Sequence, residues 1–429
     1  MKILFDGVTV LTENGRTIPR GYVMTDGAHI AYVGAEKPKE KADRVIKGGG
    51  KLLMPGLYNC HTHAAMSLFR GYGEDMPLQS WLFDRIFPAE ERLNPEAVYA
   101  ASLLACAEQI KNGIVSFSDL YFFCEDTVRA VADSGMKANI SRGISCFEPV
   151  SKENDYRFAE ACALHKSYHK AFDGRIHIDM AIHAEYTILP ENCGYIAAYA
   201  KENGLGLQLH LSETEKEHRE CEERHGKTPA RFFYDLGVFD VPVSAAHCVW
   251  LTDEDMELLA EKGVTAVHNP ASNLKLGSGI MPLHRIWRKG IRVTLGTDGA
   301  ASNNTLDILR ELNLAALLQK GSDRVCDAMA AADFVPMATV NGACAQGRSD
   351  CGRMCAGARA DLVLIDLDTP NNLPVHDPVT SLLYSVNTSN VLMTMADGSV
   401  LYENGQYTTI DIEKTKQKIK DVCGSFFKQ

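Results

Sequence analysis

Several features that mark specialised protein classes are missing from this sequence of 429 residues. No run of lysine or arginine forms a basic patch, and the formal net charge is −11, which argues against binding to nucleic acid or an anionic membrane. No apolar stretch approaches the ~20 residues that cross a bilayer. There is no internal repeat and no excess of Pro, Gln or Ser that would favour disorder. We therefore expect a folded protein whose partner is a small molecule.

Paired cysteine spacing and an apolar leader are also lacking. The 13 cysteines are an odd number scattered along the chain. Cys351 and Cys355 lie close together, but no second pair completes a structural zinc site with them. The first residues lack the apolar region of a signal peptide. We therefore expect free thiols and a cytoplasmic location.

What the sequence does contain is a change of pattern along its length. Residues 1–54 and 351–429 carry short alternating strands, and the second segment also holds a predicted terminal helix, Asp411–Phe426. In residues 55–350, short apolar runs alternate with helical segments that end at glycine, as parallel βα units do. We predict a (β/α)8 barrel with a small β-sandwich domain built from both chain ends. A doubly wound sheet is the alternative, although no Gly-x-Gly-x-x-Gly follows the first strand.

The elements of the central region are predicted from apolar runs and glycine stops. The helices are Pro95–Asn112, Glu125–Ser134, Pro190–Asn203, Asp253–Lys262 and Thr305–Gln319, with Gly321 as the last stop. The strands include Ile176–Ile182, Leu205–Leu211, Val241–Ala246 and Ile291–Leu295.

Polar residues recur where predicted strands end. His61 and His63 alternate on one strand, so both side chains face the same side. His210, His247 and Asp298 each end a later apolar run. One such histidine is more often a structural residue, but repetition across separate strands predicts a common site. Three imidazoles and a carboxylate suit zinc or iron with an open position for water, whose proton Asp298 could take.

Two glutamates follow histidines in this region. Glu213 lies three residues after His210, so it must sit in the following loop to reach the site, where it suits an acid or base. Its alternative role is to cap the next helix. His183-Ala184-Glu185 matches half of the cytidine-deaminase zinc signature, but no Pro-Cys-x-x-Cys accompanies it. We expect His183 to face the substrate and Glu185 to be a solvated loop residue.

These residues, together with further motifs, resemble the amidohydrolase superfamily, and within it the methylthioadenosine/S-adenosylhomocysteine deaminase family. The motifs are Met54-Pro55-Gly56 through His63, Leu68-Phe69-Arg70-Gly71-Tyr72, Trp81-Leu82, His210-Leu211-Ser212-Glu213-Thr214, His268-Asn269-Pro270 with Ser272-Asn273, and Gly296-Thr297-Asp298-Gly299. The resemblance extends nearly end to end. It implies one zinc ion per subunit, bound by His61, His63, His210 and Asp298. Glu213 and His247 would complete the catalytic set.

Likeness to the family also implies the substrate contacts. The residues are Trp81, Glu90, Arg142, Arg157, His183 and Ser302. Glu90 would accept hydrogen bonds from ribose hydroxyls, although an exposed glutamate at a helix start is the alternative. Arg142, assisted by Arg157, would meet the carboxylate of S-adenosylhomocysteine. Residues Cys146–Asp155 depart from the family pattern, which leaves the preferred 5′ substituent open.

The expected reaction converts an adenine nucleoside into its inosine analogue and ammonia. Candidate substrates are 5′-methylthioadenosine, S-adenosylhomocysteine, adenosine and 5′-deoxyadenosine. Glu213 would protonate the purine nitrogen next to carbon 6, Asp298 would receive the proton of the attacking water, and His247 would stabilise the developing charge. The alternatives are a deaminase or chlorohydrolase acting on guanine, 8-oxoguanine, a pterin or a triazine, and a non-catalytic metal-binding protein. We expect a homo-oligomer.

Overall fold

The computed structural model describes residues 1–427. The strands are β1 Lys2–Leu11, β2 Thr17–Asp26, β3 His29–Gly34, β4 Arg44–Lys47, β5 Lys51–Pro55, β6 Leu57–Thr62, β7 Ile114–Tyr121, β8 Lys137–Arg142, β9 Ile176–Ile178, β10 Met180–Ala181, β11 Leu207–Leu211, β12 Val243–His247, β13 Thr265–His268, β14 Val293–Leu295, β15 Leu362–Asp366, β16 Val391–Ala396, β17 Ser399–Glu403 and β18 Gln406–Tyr407.

Helices connect most of these strands. The α-helices are Leu78–Ser80, Phe87–Glu90, Pro95–Lys111, Cys124–Ser134, Tyr156–Tyr168, Ala171–Gly174, Pro190–Asn203, Glu215–His225, Pro229–Asp235, Asp253–Lys262, Pro270–Lys275, Leu283–Arg288, Ala300–Asn303, Ile308–Asp323, Ala331–Ala338, Val340–Ala345, Pro378–Tyr384 and Ile412–Phe426. The 3₁₀ helices are Ala64–Phe69, Glu185–Thr187, Val238–Asp240 and Thr388–Asn390, and Trp81–Ile86 is a π-helical segment. None of the helices in the described chain has the length and apolar composition that a membrane span requires.

Both chain ends contribute to one nine-stranded sheet. Its order is β18-β17-β16-β15-β5-β1-β2-β3, with β4 paired to β1. The two ends meet where β5 and β15 pair antiparallel, with Pro55 opposite Leu362 and Lys51 opposite Asp366. Buried side chains such as Ile3, Phe5 and Met393, which belong to both ends, pack in one cluster. The first and last segments therefore fold together although some 300 residues of sequence lie between them.

The central strands form two parallel sheets. Their orders are β6-β7-β8-β9 and β10-β11-β12-β13-β14. Strand β6 is buried at every position, as expected when helices cover both faces of a parallel sheet. The backbone N–H of Asp298 donates to the carbonyl of His61 (2.9 Å), and that of Asp179 donates to the carbonyl of Ile140 (3.2 Å). These bonds hold the two sheets together, so the carboxyl ends of β6 and β14 are neighbours.

The predicted helices are largely confirmed, with one difference at a glycine. Pro190–Asn203 and Asp253–Lys262 have the predicted bounds. The helix predicted to stop before Gly321 instead spans Ile308–Asp323 and ends at Arg324, whose φ is 57°. The predicted stop is wrong because Gly321 does not adopt the positive φ that ends the helices at Gly204 and Gly263, so the helix continues through this position.

Another difference concerns a strand. The predicted strand Ile176–Ile182 is divided into β9 and β10 at Asp179. A carboxylate oxygen of Asp179 accepts hydrogen bonds from Asn139 (2.9 Å) and Gln208 (3.1 Å) on neighbouring strands. The 13 cysteines, all within the described residues, carry free thiols, as their spacing predicted.

Candidate active site

Five of the predicted site residues meet at the carboxyl ends of parallel strands. They are His61 in β6, His63 just after it, His210 in β11, His247 at the end of β12, and Asp298 shortly after β14. The ring centroid of His61 lies 4.9 Å from that of His63, 4.8 Å from that of His210 and 5.5 Å from that of His247. The four imidazoles therefore form one compact cluster.

The Nε2 atoms of three histidines lie close together in the cluster. The Nδ1–H of His63 donates to the carbonyl of Leu120 (2.5 Å), and the Nδ1–H of His210 donates to the carbonyl of His183 (2.7 Å). Because a carbonyl can only accept, each neutral ring has its lone pair on Nε2. These two Nε2 atoms lie 3.4 Å apart, and the buried Nε2 of His61 has no hydrogen-bond partner among the described residues. Lone pairs that converge in this way fit a cation.

Asp298 adds a carboxylate to the cluster. Its Oδ1 lies 3.4 Å from Nε2 of His61 and 3.2 Å from Nε2 of His63, while its Oδ2 accepts hydrogen bonds from the hydroxyls of Ser272 (2.6 Å) and Ser302 (2.7 Å). Burial raises the pKa of Asp298, but the adjacent imidazoles of His61 and His63 hold it well below the usual value. The φ of Asp298 is 61°, a strained conformation of the kind found at functional sites. Imidazole nitrogens and a carboxylate oxygen are the donor set that zinc prefers.

Two groups of possible ligands overlap in this cluster. The donor atoms of His61, His63 and Asp298 lie within 4.8 Å of one another, and so do those of His61, His210 and His247. A proton competes with a cation here: burial lowers the pKa of His63, but the hydrogen bond and charge of Asp298, with the Leu120 carbonyl and Asp119, together raise it to about 9. Burial lowers the pKa of His61 to about 4, which keeps that ring neutral.

Glu213 lies in the loop after β11 and faces the same cluster. Its Oε2 is 3.8 Å from Nε2 of His247, and its Oε1 accepts a hydrogen bond from the hydroxyl of Ser278 (3.1 Å). Burial raises the pKa of Glu213, which favours a carboxyl that can carry a proton. The Nδ1–H of His247 donates to the amide oxygen of Asn273 (2.7 Å), which leaves its Nε2 toward Glu213. The helix that follows is capped by Thr214, so the alternative role of Glu213 as its cap is wrong.

A cavity opens onto these groups. Trp81, Glu90 and His183 line it, together with His63, His210, His247, Glu213 and Asp298. Trp81 begins the π-helical segment, a rare conformation often found at functional sites, and Glu90 ends the helix that follows it. Burial raises the pKa of Glu90 to about 7, although a hydrogen bond from the hydroxyl of Tyr121 (2.6 Å) opposes this shift.

Three predicted substrate contacts are not among the residues that line the cavity. Ser302 is buried against Asp298. The Nε–H of Arg142 donates to Glu160 (2.7 Å), and Arg157 lies 3.6 Å from the carboxylate of Asp155. The structure therefore places both arginines in ion pairs instead of at the cavity surface.

Glu185, expected to be a solvated loop residue, is buried. Its carboxylate pairs with Arg224 (2.6 Å) and lies 3.0 Å from Nε2 of His225. The expectation is wrong because both partner side chains come from the end of a later helix, a contact that local sequence does not reveal.

Two residues that the sequence interpretation missed support the cavity. Tyr121, at the end of β7, lines it and binds Glu90. Glu217 accepts hydrogen bonds from the backbone N–H groups of Ser212 and Glu213. The motif Thr214-x-x-Glu217 resembles a helix capping box, and this signal could have identified Glu217 as a side chain that bonds to nearby backbone N–H groups.

The chain is similar to known proteins over most of its length. Residues 52–401 match the amidohydrolase family. A 5-methylthioadenosine/S-adenosylhomocysteine deaminase from Acetivibrio thermocellus is 42% identical over 429 residues, which cover 99% of each chain. A 5′-deoxyadenosine deaminase from Methanosarcina mazei is 41% identical over 95% of this chain and 94% of its own.

A solved structure is similar over the whole chain. It is an adenosine deaminase from Xanthomonas campestris with bound zinc, with a TM-score of 0.94 and 29% identity over 100% of this chain and 99% of its own. The resemblance inferred from the sequence motifs is confirmed by these matches. The chain belongs to the amidohydrolase family, and within it to the methylthioadenosine/S-adenosylhomocysteine deaminase family.

Proposed function

We propose that this protein is a metal-dependent hydrolase of C–N bonds that deaminates adenine nucleosides to inosine analogues and ammonia. One observation carries the proposal. The imidazoles of His61, His63 and His210, the carboxylate of Asp298 and the carboxyl of Glu213 meet at one end of a single cavity, with Glu90 also in its wall. The names of the relatives give the substrate class, because they include deaminases of methylthioadenosine, S-adenosylhomocysteine and 5′-deoxyadenosine.

One zinc ion per subunit fits the cluster. His61, His63, His210 and Asp298 would hold it, and the unpartnered Nε2 of His61 together with the facing Nε2 atoms of His63 and His210 support this assignment. A bound divalent metal lowers the pKa of water to about 7, which makes hydroxide available at neutral pH.

The side chains around the cluster have separate tasks in this proposal. Glu213, whose pKa is raised by burial, donates a proton to the ring nitrogen next to carbon 6 of the purine. His247, which lines the cavity, stabilises the charge that develops on the oxygen added at carbon 6 when both of its ring nitrogens carry a proton, so that its Nε2–H can donate. Asp298 accepts the proton of the attacking water, and Ser302 holds Asp298 in position from behind.

Substrate recognition involves other residues of the cavity lining. The carboxylate of Glu90 accepts hydrogen bonds from the ribose hydroxyls, and Trp81 provides an aromatic surface for the nucleoside. His183 lies beside His210, with ring centroids 4.7 Å apart, and contacts the purine.

The positions of the strand ends also support a fold for each part of the chain. Residues 55–350 form a (β/α)8 barrel whose active site lies at the carboxyl end of the strands, and residues 1–54 and 351–429 form a small β-sandwich domain with the terminal helix. Hydrogen bonds that join the two parallel sheets support closure. A cytoplasmic location and a homo-oligomeric assembly stay predictions from the sequence.

Ammonia release tests the function directly. Purified protein with its zinc content measured is given adenosine, 5′-deoxyadenosine, methylthioadenosine and S-adenosylhomocysteine. Glu213→Gln should keep its zinc and lose roughly 100-fold or more in kcat, the usual contribution of a general acid. Glu215→Gln, an exposed neighbour that pairs only with Arg219 among the described residues, is the matched control and should keep full activity. Full activity in zinc-loaded Glu213→Gln would refute the proposal.

A further inference from the structure

A buried carboxylate outside the cavity joins two segments of the candidate site. Glu311 is fully buried and is not among the residues that line the cavity. Its Oε2 accepts a hydrogen bond from the backbone N–H of Ala271 (2.9 Å), and its Oε1 accepts one from the side-chain amide of Asn303 (2.8 Å). These two donors belong to different short helices, Pro270–Lys275 and Ala300–Asn303. Glu311 therefore holds both helices at one point.

The first of these helices contacts two residues of the site. The hydroxyl of Ser272 donates to Oδ2 of Asp298 (2.6 Å). The amide oxygen of Asn273 accepts a hydrogen bond from the Nδ1–H of His247 (2.7 Å). Both side chains directly follow the backbone N–H that Glu311 binds, so a shift of this N–H would move both contacts.

The second helix contacts the same carboxylate. The hydroxyl of Ser302 lies 2.7 Å from Oδ2 of Asp298. Besides its bond to the buried glutamate, the amide of Asn303 donates to the backbone carbonyl of Thr297 (2.7 Å), which directly precedes Asp298. The amide oxygen of Asn303 accepts from Arg310 (3.1 Å), so the amide cannot turn over without bringing its NH2 group against a cation.

We propose that Glu311 is a positioning residue of the deaminase, which acts through the two helices on the side chains of Asp298 and His247. The inference depends on the proposed deaminase function. The two serines bind Oδ2 of Asp298, and Oδ1 is the oxygen that faces Nε2 of His61 (3.4 Å) and of His63 (3.2 Å). A carboxylate suits this task because both of its oxygens accept hydrogen bonds, whereas an amide has only one accepting oxygen.

Replacing Glu311 tests the proposal. Glu311→Gln keeps the size of the side chain but leaves Ala271 or Asn303 without an acceptor. Burial raises the pKa of Glu311 to about 7, so assays at a pH of about 8.5 compare the ionised side chain with the amide. In zinc-loaded protein with methylthioadenosine, we expect kcat to fall roughly tenfold and KM to change less than about twofold. An unchanged kcat would overturn the proposal.

A second buried carboxylate provides the matched control. Asp255 is also buried and lies outside the cavity lining, and it accepts hydrogen bonds from the backbone N–H of Thr252 (2.9 Å) and from the hydroxyl of Thr228. Asp255→Asn should lower the Tm about as much as Glu311→Gln, because it also loses one buried bond, but it should keep kcat. An equal fall of kcat in both variants would assign Glu311 a merely structural role. If the unaltered protein deaminates no adenine nucleoside, the proposed function itself fails.

A double variant tests the route through the second helix. If Glu311 acts through Ser302, the fall of kcat in Glu311→Gln combined with Ser302→Ala should be smaller than the product of the two single effects. Asn303→Ala removes one bond to Glu311 without altering the glutamate, and should lower kcat roughly threefold or more with KM nearly unchanged, even if Glu311→Gln does not fold. Single effects that multiply, or full kcat in Asn303→Ala, would refute the proposal.

Discussion

The carboxylate of Glu217 accepts hydrogen bonds from the backbone N–H groups of Ser212 (3.0 Å) and Glu213 (2.7 Å). Both amides belong to the loop that carries the proposed proton donor. Ser212 has a φ of 47°, so the loop adopts a conformation that is unfavourable without such support. Glu217 is therefore a positioning residue, which acts through the placement of Glu213.

Replacing Glu217 tests this role. Glu217→Gln keeps the size of the side chain but leaves one of the two amides without its acceptor. We expect kcat to fall roughly tenfold with KM changed less than twofold, because a small displacement of Glu213 affects the chemical step more than binding. Steady-state kinetics with methylthioadenosine measures both values. Glu223→Gln, on the exposed side of the same helix, is the control. A loss confined to KM would contradict this assignment.

Glu90 should impose a pH dependence on substrate binding. Burial raises its pKa to about 7, against the hydrogen bond from Tyr121. Because the ionised carboxylate accepts from ribose hydroxyls, kcat/KM should rise as the pH increases through about 7 and level off above it. Glu90→Gln should lower kcat/KM and remove this rise, whereas exposed Glu91→Gln should retain it. An unchanged profile in Glu90→Gln would assign the ionisation to another group.

Removal of the metal should reduce both activity and stability. Zinc would bind the Nε2 atoms of His63 and His210, which lie 3.4 Å apart in a buried site, so its removal takes away bonds that only the folded state makes. We expect a chelator to abolish ammonia release and zinc to restore it. At free zinc about 1,000-fold above Kd, the ion should stabilise the protein by roughly 4 kcal/mol, measured as a higher Tm in calorimetry.

A pair of histidine variants provides the control for that experiment. His210→Ala should bind less zinc by elemental analysis and show a smaller zinc-dependent shift in Tm. His165 lies outside the cluster, so His165→Ala should bind zinc and unfold like the unaltered protein. If His210→Ala binds zinc as tightly as the unaltered protein, His210 is not a ligand.

A buried ion-pair cluster should contribute to global stability. Nζ of Lys137, in β8, lies 2.6 Å from Asp361 and 2.8 Å from Asp397, and the side chain of Lys137 is only 2% exposed. Lys137→Met would leave buried carboxylates without a counter-charge, at a cost of about 3–5 kcal/mol. Urea unfolding measures this loss. Lys201→Met, which breaks the exposed pair with Asp240, should cost less than about 1 kcal/mol.

Much of the site could be predicted because its signals are local. His61 and His63 alternate along one buried strand, so their side chains must face the same side. The helix ends at Gly204 and Gly263 could be predicted because glycine favours the positive φ that each adopts at a C-cap. Gly321 is also a glycine but does not have a positive φ, so the prediction that the helix stops there failed.

The remaining features depend on partners that are distant in sequence. Glu185 was expected in solvent, but Arg224 and His225 arrive from another helix and stabilise it in the interior. Arg142 was expected to bind a substrate carboxylate, whereas Glu160 already occupies its Nε–H. No pattern near either residue indicates these contacts.

Periodicity and residue type are local properties, and they were sufficient to predict the chemical groups at the strand ends, the family of the chain and the class of reaction. How those groups are paired depends on the folded arrangement of distant segments. Ion pairing and burial depend on which side chains folding brings within a few ångströms, so the placement of Glu217 behind Glu213 and of Glu160 against Arg142 emerged from packing alone.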